Sequence, residues 1–126
     1  MADKLVMMLL TVDPDQPHVC GSPFFHAAAA ASMDVDVEVY FASRAVRLLL
    51  KGVADQLYPG EDRTKSVYHF MQDAAKLGVK FYACGGGFSS LGVEGNDDFI
   101  AEFSGIAGAT AYIQRVMDDE WKTITY

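Results

Sequence analysis

The sequence predicts an α/β protein, a single domain with a mostly parallel sheet of about five strands and helices on both faces. Three observations carry that expectation. Apolar β-like runs alternate with helical patterns in the order β-α-β-α-α-β-α-β, the succession that lays parallel strands side by side under their connecting helices. The first run, KLVMMLLTV, is apolar at almost every position, as a strand covered on both faces requires. A chain of 126 residues with 51% hydrophobic content fits one compact core. At that size folding buries roughly two thirds of the surface the unfolded chain exposes, and no second domain is needed.

Lys4 to Val12, bounded by Asp13-Pro14, is expected to be the central strand. The loop DPDQPHVCG ends in Gly21, after which Ser22 is an N-cap with Pro23 at the first helical position, and the helix runs to about Met33. Its small residues let it lie close against a sheet or a neighbouring subunit. Asp34 to Ala42, DVDVEVYFA, alternates acidic and apolar residues, the pattern of a second strand with one face partly wet. Ser43 is placed to cap an amphipathic helix, RAVRLLLKGVADQ, which stops at Tyr58-Pro59-Gly60. Thr64 or Ser66 opens the next helix, whose apolar positions Val67, Phe70, Met71, Ala74, Ala75 and Leu77 recur at helical spacing until Gly78 closes it. A third strand from Val79 ends at Cys84. Asp97 to Phe103 reads as a short amphipathic piece, and Ile106-Ala107-Gly108 as either a brief strand or a link. Ala109 to Glu120 has a helical pattern in Ala111, Tyr112, Val116 and Met117, and WKTITY is the final β-like run.

Seventeen acidic against ten basic residues give a formal charge of -7. That balance argues against a nucleic-acid binder that tracks phosphates and against docking on an anionic membrane, and it favours a basic protein partner. Cys20 and Cys84 form neither a C-x-x-C pair nor a Cys/His cluster at zinc spacing. No metal is expected, and two such thiols fit a reducing compartment, so the protein is read as cytoplasmic. The run from Leu5 to Val12 is too short to span a bilayer, and Met1-Ala2-Asp3-Lys4 does not open a signal peptide. Asp13, Asp15, Asp97 and Asp98 stand in loop and helix-start contexts, where aspartate caps backbone amides.

The stretch VKFYACGGGFSSLGV concentrates the chemistry. Val79, Phe81 and Tyr82 suit a buried strand, and Gly85, Gly86 and Gly87 allow a sharp turn that leaves backbone N–H groups uncovered around the thiol of Cys84. The sulfur then sits at the carboxyl end of a strand, the rim where open parallel sheets bind ligands, and amides presented there favour thiolate over thiol. A small inert hydrophobe closing a strand is the other reading of the same cysteine. Without G-K-[ST] or a complete G-x-G-x-x-G, the glycines do not make a nucleotide site, and no organic cofactor is expected. Cys20 lies in the loop after the first strand; if that strand neighbours the one ending at Cys84, both loops leave the same rim. It is then either a second, resolving or sulfur-accepting thiol, or an incidental loop cysteine. His18 and His26 flank it, and His69 falls on an amphipathic helix.

Over nearly its whole length the chain resembles the DsrE/DsrF-like family of small sulfur-handling proteins, which includes the TusD-type sulfur relay subunits. The residues that carry the resemblance are KLVMMLLTVDPD with the small-residue helix after it, DVEVYFASRAVRLLL, SVYHFMQDAAKLGVKFYACGGGFSSLGV, and AGATAYIQRVMDDEWKTITY. In that family a strand ends on a cysteine and a Gly-Val or Gly-Ile pair follows, the places taken here by Cys84 and Gly92-Val93. The resemblance implies a DsrE-like version of the Rossmann-like or flavodoxin-like fold. It implies a sulfurtransferase or sulfur carrier of sulfur oxidation or sulfur relay, with Cys84 holding sulfane sulfur as a persulfide and passing it to a thiol of a small sulfur carrier protein. It also implies a homo-oligomer, trimer or other, and the apolar Phe24, Phe25 and Phe88 are expected at subunit contacts near the rim. Ser89 and Ser90, with the N–H groups of Gly85 to Gly87, can hydrogen-bond the terminal sulfur anion, or serve turn chemistry alone. Where TusD-type members often carry basic residues, this chain has Phe88-Ser89-Ser90-Leu91. The alternatives are a thiol redox protein using Cys84 and Cys20, and a non-catalytic oligomeric binding module.

Overall fold

A computed structural model describes residues 3–85 and 98–126. The strands β1 (Lys4–Leu9), β2 (Asp36–Phe41), β3 (Lys80–Cys84), β4 (Phe103–Ala107) and β5 (Trp121–Thr125) form one sheet in the order β4-β3-β2-β1-β5, and all four pairings are parallel. The middle strand is therefore β2, not β1, which lies between β2 and β5. The apolar run also leaves the sheet earlier than expected. Leu10 is exposed, its N–H and that of Thr11 donate to Tyr126 O at 2.7 and 3.0 Å, and Val12 returns to the core from outside the strand.

One face of the sheet is covered by α1 (Ser22–Ala31) and α2 (Val67–Lys76). Leu5, Met7 and Leu9 join Val37, Val39, Phe41, Phe81 and Ala83 there, and Phe24 of α1 and Met71 of α2 close over them. Phe24 is the keystone: its ring lies 5.8 Å from Phe41 and 5.7 Å from Phe81, so one side chain ties a helix to two strands. The opposite face receives α3 (Ala109–Val116), which sets Tyr112 5.4 Å from the buried Tyr40. Helices on both faces are thus present, with the thicker layer on the α1 side.

Ser66 caps α2 as expected, its hydroxyl accepting the His69 N–H at 3.1 Å, and Gly78 closes the helix with φ +97. Elsewhere the caps differ. The helix α1 begins at Ser22 with Gly21 in the cap position and no side-chain cap bond. Ser43 does not cap either: it carries φ +52 and stands inside the next element. The expected amphipathic helix there is two 3-10 segments, Ser43–Leu49 and Ala54–Gln56. A 3-10 turn repeats every three residues, so Ala45, Val46, Leu48 and Leu49 can all be buried in a pattern that also suits an α-helix. Gly52 at φ +82 breaks the run, and Leu50 pairs with Phe99 in an antiparallel bridge. That bridge lies in the short amphipathic piece expected from Asp97 to Phe103, whose last residue opens β4; Asp97 itself lies outside the described residues. Of the two readings of Ile106-Ala107-Gly108, the strand holds, as the end of β4. The last helix stops at Val116, short of Glu120.

Candidate functional site

Alternation along β3 sends Phe81 and Ala83 into the core and Lys80, Tyr82 and Cys84 to the face that carries α3. Cys84 is the last residue of the strand, half-buried and unbridged, at the carboxyl rim of a parallel sheet. Its register partner is Ala107 of β4. One residue further, Gly108 is the N-cap of α3 and offers no side-chain cap bond. The N–H groups of Ala111 and Tyr112 return to Gly108 O at 3.1 and 3.5 Å, which leaves the first two amides of the helix without an intrahelical acceptor. The positive end of α3 therefore begins beside the strand end that carries the thiol. Gly85 follows, and an added Cβ there would sit 3.9 Å from Ile106 Cγ2, an ordinary contact. Gly86, Gly87, Phe88, Ser89, Ser90, Gly92 and Val93 lie outside the described residues.

Beneath Cys84 on the same face is an aromatic layer that the sequence reading did not assemble. Tyr82 and Tyr40 lie 5.4 Å apart, and Tyr112 packs on Tyr40 from α3. Tyr40 donates its hydroxyl to Glu38 Oε1 at 3.1 Å, and Arg115 Nε donates to the same oxygen at 3.2 Å. Burial, with the Glu38 charge next, pushes the Tyr40 hydroxyl up to about 12, so it stays protonated. The period-two placing of Glu38 and Tyr40 and the i,i+3 placing of Tyr112 and Arg115 were the signals available.

Cys20 is elsewhere. Since β2 stands between β1 and β3, the strand before Cys20 does not neighbour the strand ending at Cys84. Cys20 is fully buried, and its Sγ–H donates to Asp13 O at 3.3 Å and Gln16 O at 3.5 Å. Burial, and then the Asp13 charge, push its thiol up to about 11. On the order of one molecule in a thousand then carries the thiolate at pH 8. Iodoacetamide at that pH is expected to label Cys84 in the folded protein and Cys20 only after unfolding. Peptide mapping checks this, and equal labelling of both would show that the Asp13–Cys20 loop opens readily.

The remaining candidates are structural in their contacts. Arg44 reaches Asp13 Oδ2 at 2.8 Å and Asp15 Oδ2 at 2.6 Å, while Asp13 Oδ1 accepts the Asp15 N–H at 2.9 Å. That backbone donor first, and Arg44 after it, hold the Asp13 carboxyl below the usual carboxylate range. Among the described residues no three His, Cys, Asp or Glu side chains meet in a metal-binding group, and no helix is long and apolar enough to cross a membrane. His18 is exposed, His26 Nδ1 meets the Tyr126 hydroxyl, and His69 lies 3.9 Å from Asp73. Phe24 is core, whereas Phe25 is 64% exposed and remains available to a neighbour.

The model of the DsrE/DsrF-like family matches residues 4–126. Among solved structures, the YchN protein from E. coli superposes with a TM-score of 0.77 at 17% identity, over 100% of both chains. A conserved protein of unknown function from Bacteroides thetaiotaomicron, BT1422, gives 0.56 at 13% identity over 98% of this chain and 95% of that one. At these identities the likeness is one of fold. None of the curated proteins matches the sequence.

Proposed function

The chain belongs to the DsrE/DsrF-like family, and from that premise we propose that it is a sulfur carrier whose Cys84 takes up sulfane sulfur as a persulfide and hands it to a thiol on another protein. Membership supports a sulfur-relay role in general. The observation that favours Cys84 as the carrier is its position, a free and partly exposed sulfur at the carboxyl rim, with the uncapped amino end of α3 one residue past its strand partner. In the loading step the Cys84 thiolate attacks the outer sulfur of a donor persulfide; a new S–S bond forms, the donor S–S bond breaks, and the donor leaves as thiolate. In the delivery step an acceptor thiolate attacks that outer sulfur, and Cys84 leaves with the electron pair. No net oxidation occurs, and the chemistry needs neither a metal nor an organic cofactor.

The partners are donor and acceptor proteins, with basic surfaces favoured by the charge of -7. The setting is the cytoplasm, where free thiols persist. A homo-oligomer fits the exposed Ile113 of α3, Met117 just past its end and Ile124 of β5. Native mass spectrometry after incubation with polysulfide tests the reading: added sulfur masses should appear, map to the Cys84 peptide, disappear when a small thiol is supplied, and ride on a species of more than one chain. A protein that gains no sulfur would refute the carrier role.

The contribution of α3 is separately testable. Gly108 has φ -78, and an added Cβ would meet nothing within 4 Å, so aspartate fits there unstrained. Gly108→Asp is expected to raise unfolding stability by a few tenths of a kcal/mol through capping. It should also slow sulfur uptake roughly fivefold, since about 1 kcal/mol of repulsion acts on the attacking thiolate. Uptake at the wild-type rate would show that the helix end does not act on the sulfur.

A further inference from the structure

Away from the Cys84 rim, a cavity of about 310 Å³ opens between the turn after the first 3-10 segment, the start of α2 and the chain leading into β4. Its lining includes Leu50, Lys51, Ala54, Asp55, Tyr68 and Ile100. The walls are fixed before any ligand arrives. Lys51 N–H donates to Asp98 O at 2.8 Å, Ile100 N–H to Leu49 O at 2.9 Å, and the Tyr68 hydroxyl to Glu102 Oε1 at 2.7 Å. Burial and then that bond push the Tyr68 hydroxyl up to about 12, so Tyr68 contributes a flat apolar wall and no charge. Among the described residues of the lining the charges are one cation, Lys51, and one anion, Asp55; both are exposed, and neither side chain has an ion pair or a hydrogen bond among the described residues.

We propose that this cavity binds a small zwitterion, an α-amino acid with an apolar side chain. Its carboxylate meets Lys51, its ammonium group meets Asp55, and its side chain lies on Leu50, Ala54 and Ile100. The volume stands at the small end of the range for ligand pockets, about 300–1,000 Å³, which suits one small molecule and not a peptide. A pure anion or a pure cation meets one of the two charges and leaves the other to water; a zwitterion meets both. Cys84 is not in the lining, so the site goes beyond the sulfur-carrier reading and stands or falls separately from it.

Titration of the whole protein with L-leucine, followed by amide chemical shifts up to about 10 mM, reaches dissociation constants in the millimolar range. Saturable shifts are expected in residues 50–55 and 100–101. The half-ligands 4-methylpentanoate and 3-methylbutylamine should each bind about threefold more weakly, the loss of one exposed charge contact. Lys51→Met should weaken leucine about threefold and leave the amine unchanged, and Asp55→Asn should weaken leucine equally and leave the carboxylate unchanged. Cys84→Ser protein should bind leucine as the wild type does, so a failure of sulfur loading and a failure of this site are read apart. No saturable shift with leucine, or leucine binding that both substitutions leave intact, would overturn the proposal.

Discussion

Cys84→Ser protein is expected to take up no sulfur from polysulfide under conditions that load the wild type to completion. The loss is total, because a serine oxygen cannot form the S–S bond on which carriage depends, and the buried thiol of Cys20 offers no substitute. The fold should not change. Cys84 is half-buried at a strand end, and sulfur to oxygen at such a position costs within about 0.5 kcal/mol. Intact mass after loading, together with a urea unfolding curve, measures both quantities. Cys20→Ser is the matched control and should load as the wild type does, since its hydroxyl can donate to the same Asp13 and Gln16 carbonyls. A sulfur mass gain that persists in Cys84→Ser would end the assignment of the carrier to this residue, and a gain lost only in Cys20→Ser would transfer it there.

Phe24→Ala is expected to remove about 3–5 kcal/mol of stability, the cost of emptying a fully buried aromatic site. Domains of this size hold about 5–15 kcal/mol in all, so the variant should be marginally folded at room temperature. The effect is large because the ring contacts Phe41 of β2 and Phe81 of β3 at once, and its loss opens the layer that holds α1 on the sheet. Phe25 is the next residue and points the other way, 64% exposed; Phe25→Ala should stay within about 0.5 kcal/mol. Urea midpoints at constant slope compare the two. A cost below about 1.5 kcal/mol for Phe24→Ala would mean that the pocket collapses around the missing ring.

The elements that sequence located well are those whose periodicity belongs to one geometry alone. KLVMMLLTV has no polar face and cannot be a surface helix, and DVDVEVYFA alternates as only a strand does. RAVRLLLKGVADQ failed because α and 3-10 turns accept the same apolar spacing, and the choice fell to the Leu50–Phe99 bridge, made with a residue far along the chain. The candidate site divides the same way. That a thiol would end a strand was legible at Cys84, whereas the tyrosines at 40, 82 and 112 meet only because β2, β3 and α3 are stacked.

By itself the sequence determined the α/β class, the single domain, most of the strands and the cysteine at a strand end, since these follow from local pattern and from the area an apolar chain must hide. Tertiary structure alone decided that β2 is the middle strand, that Cys20 is shut in behind the β1 loop, and that the open end of α3 stands next to the Ala107 partner of Cys84. Strand order is set by packing between distant segments. No local pattern encodes it, and with it comes which thiol meets solvent and which is sealed.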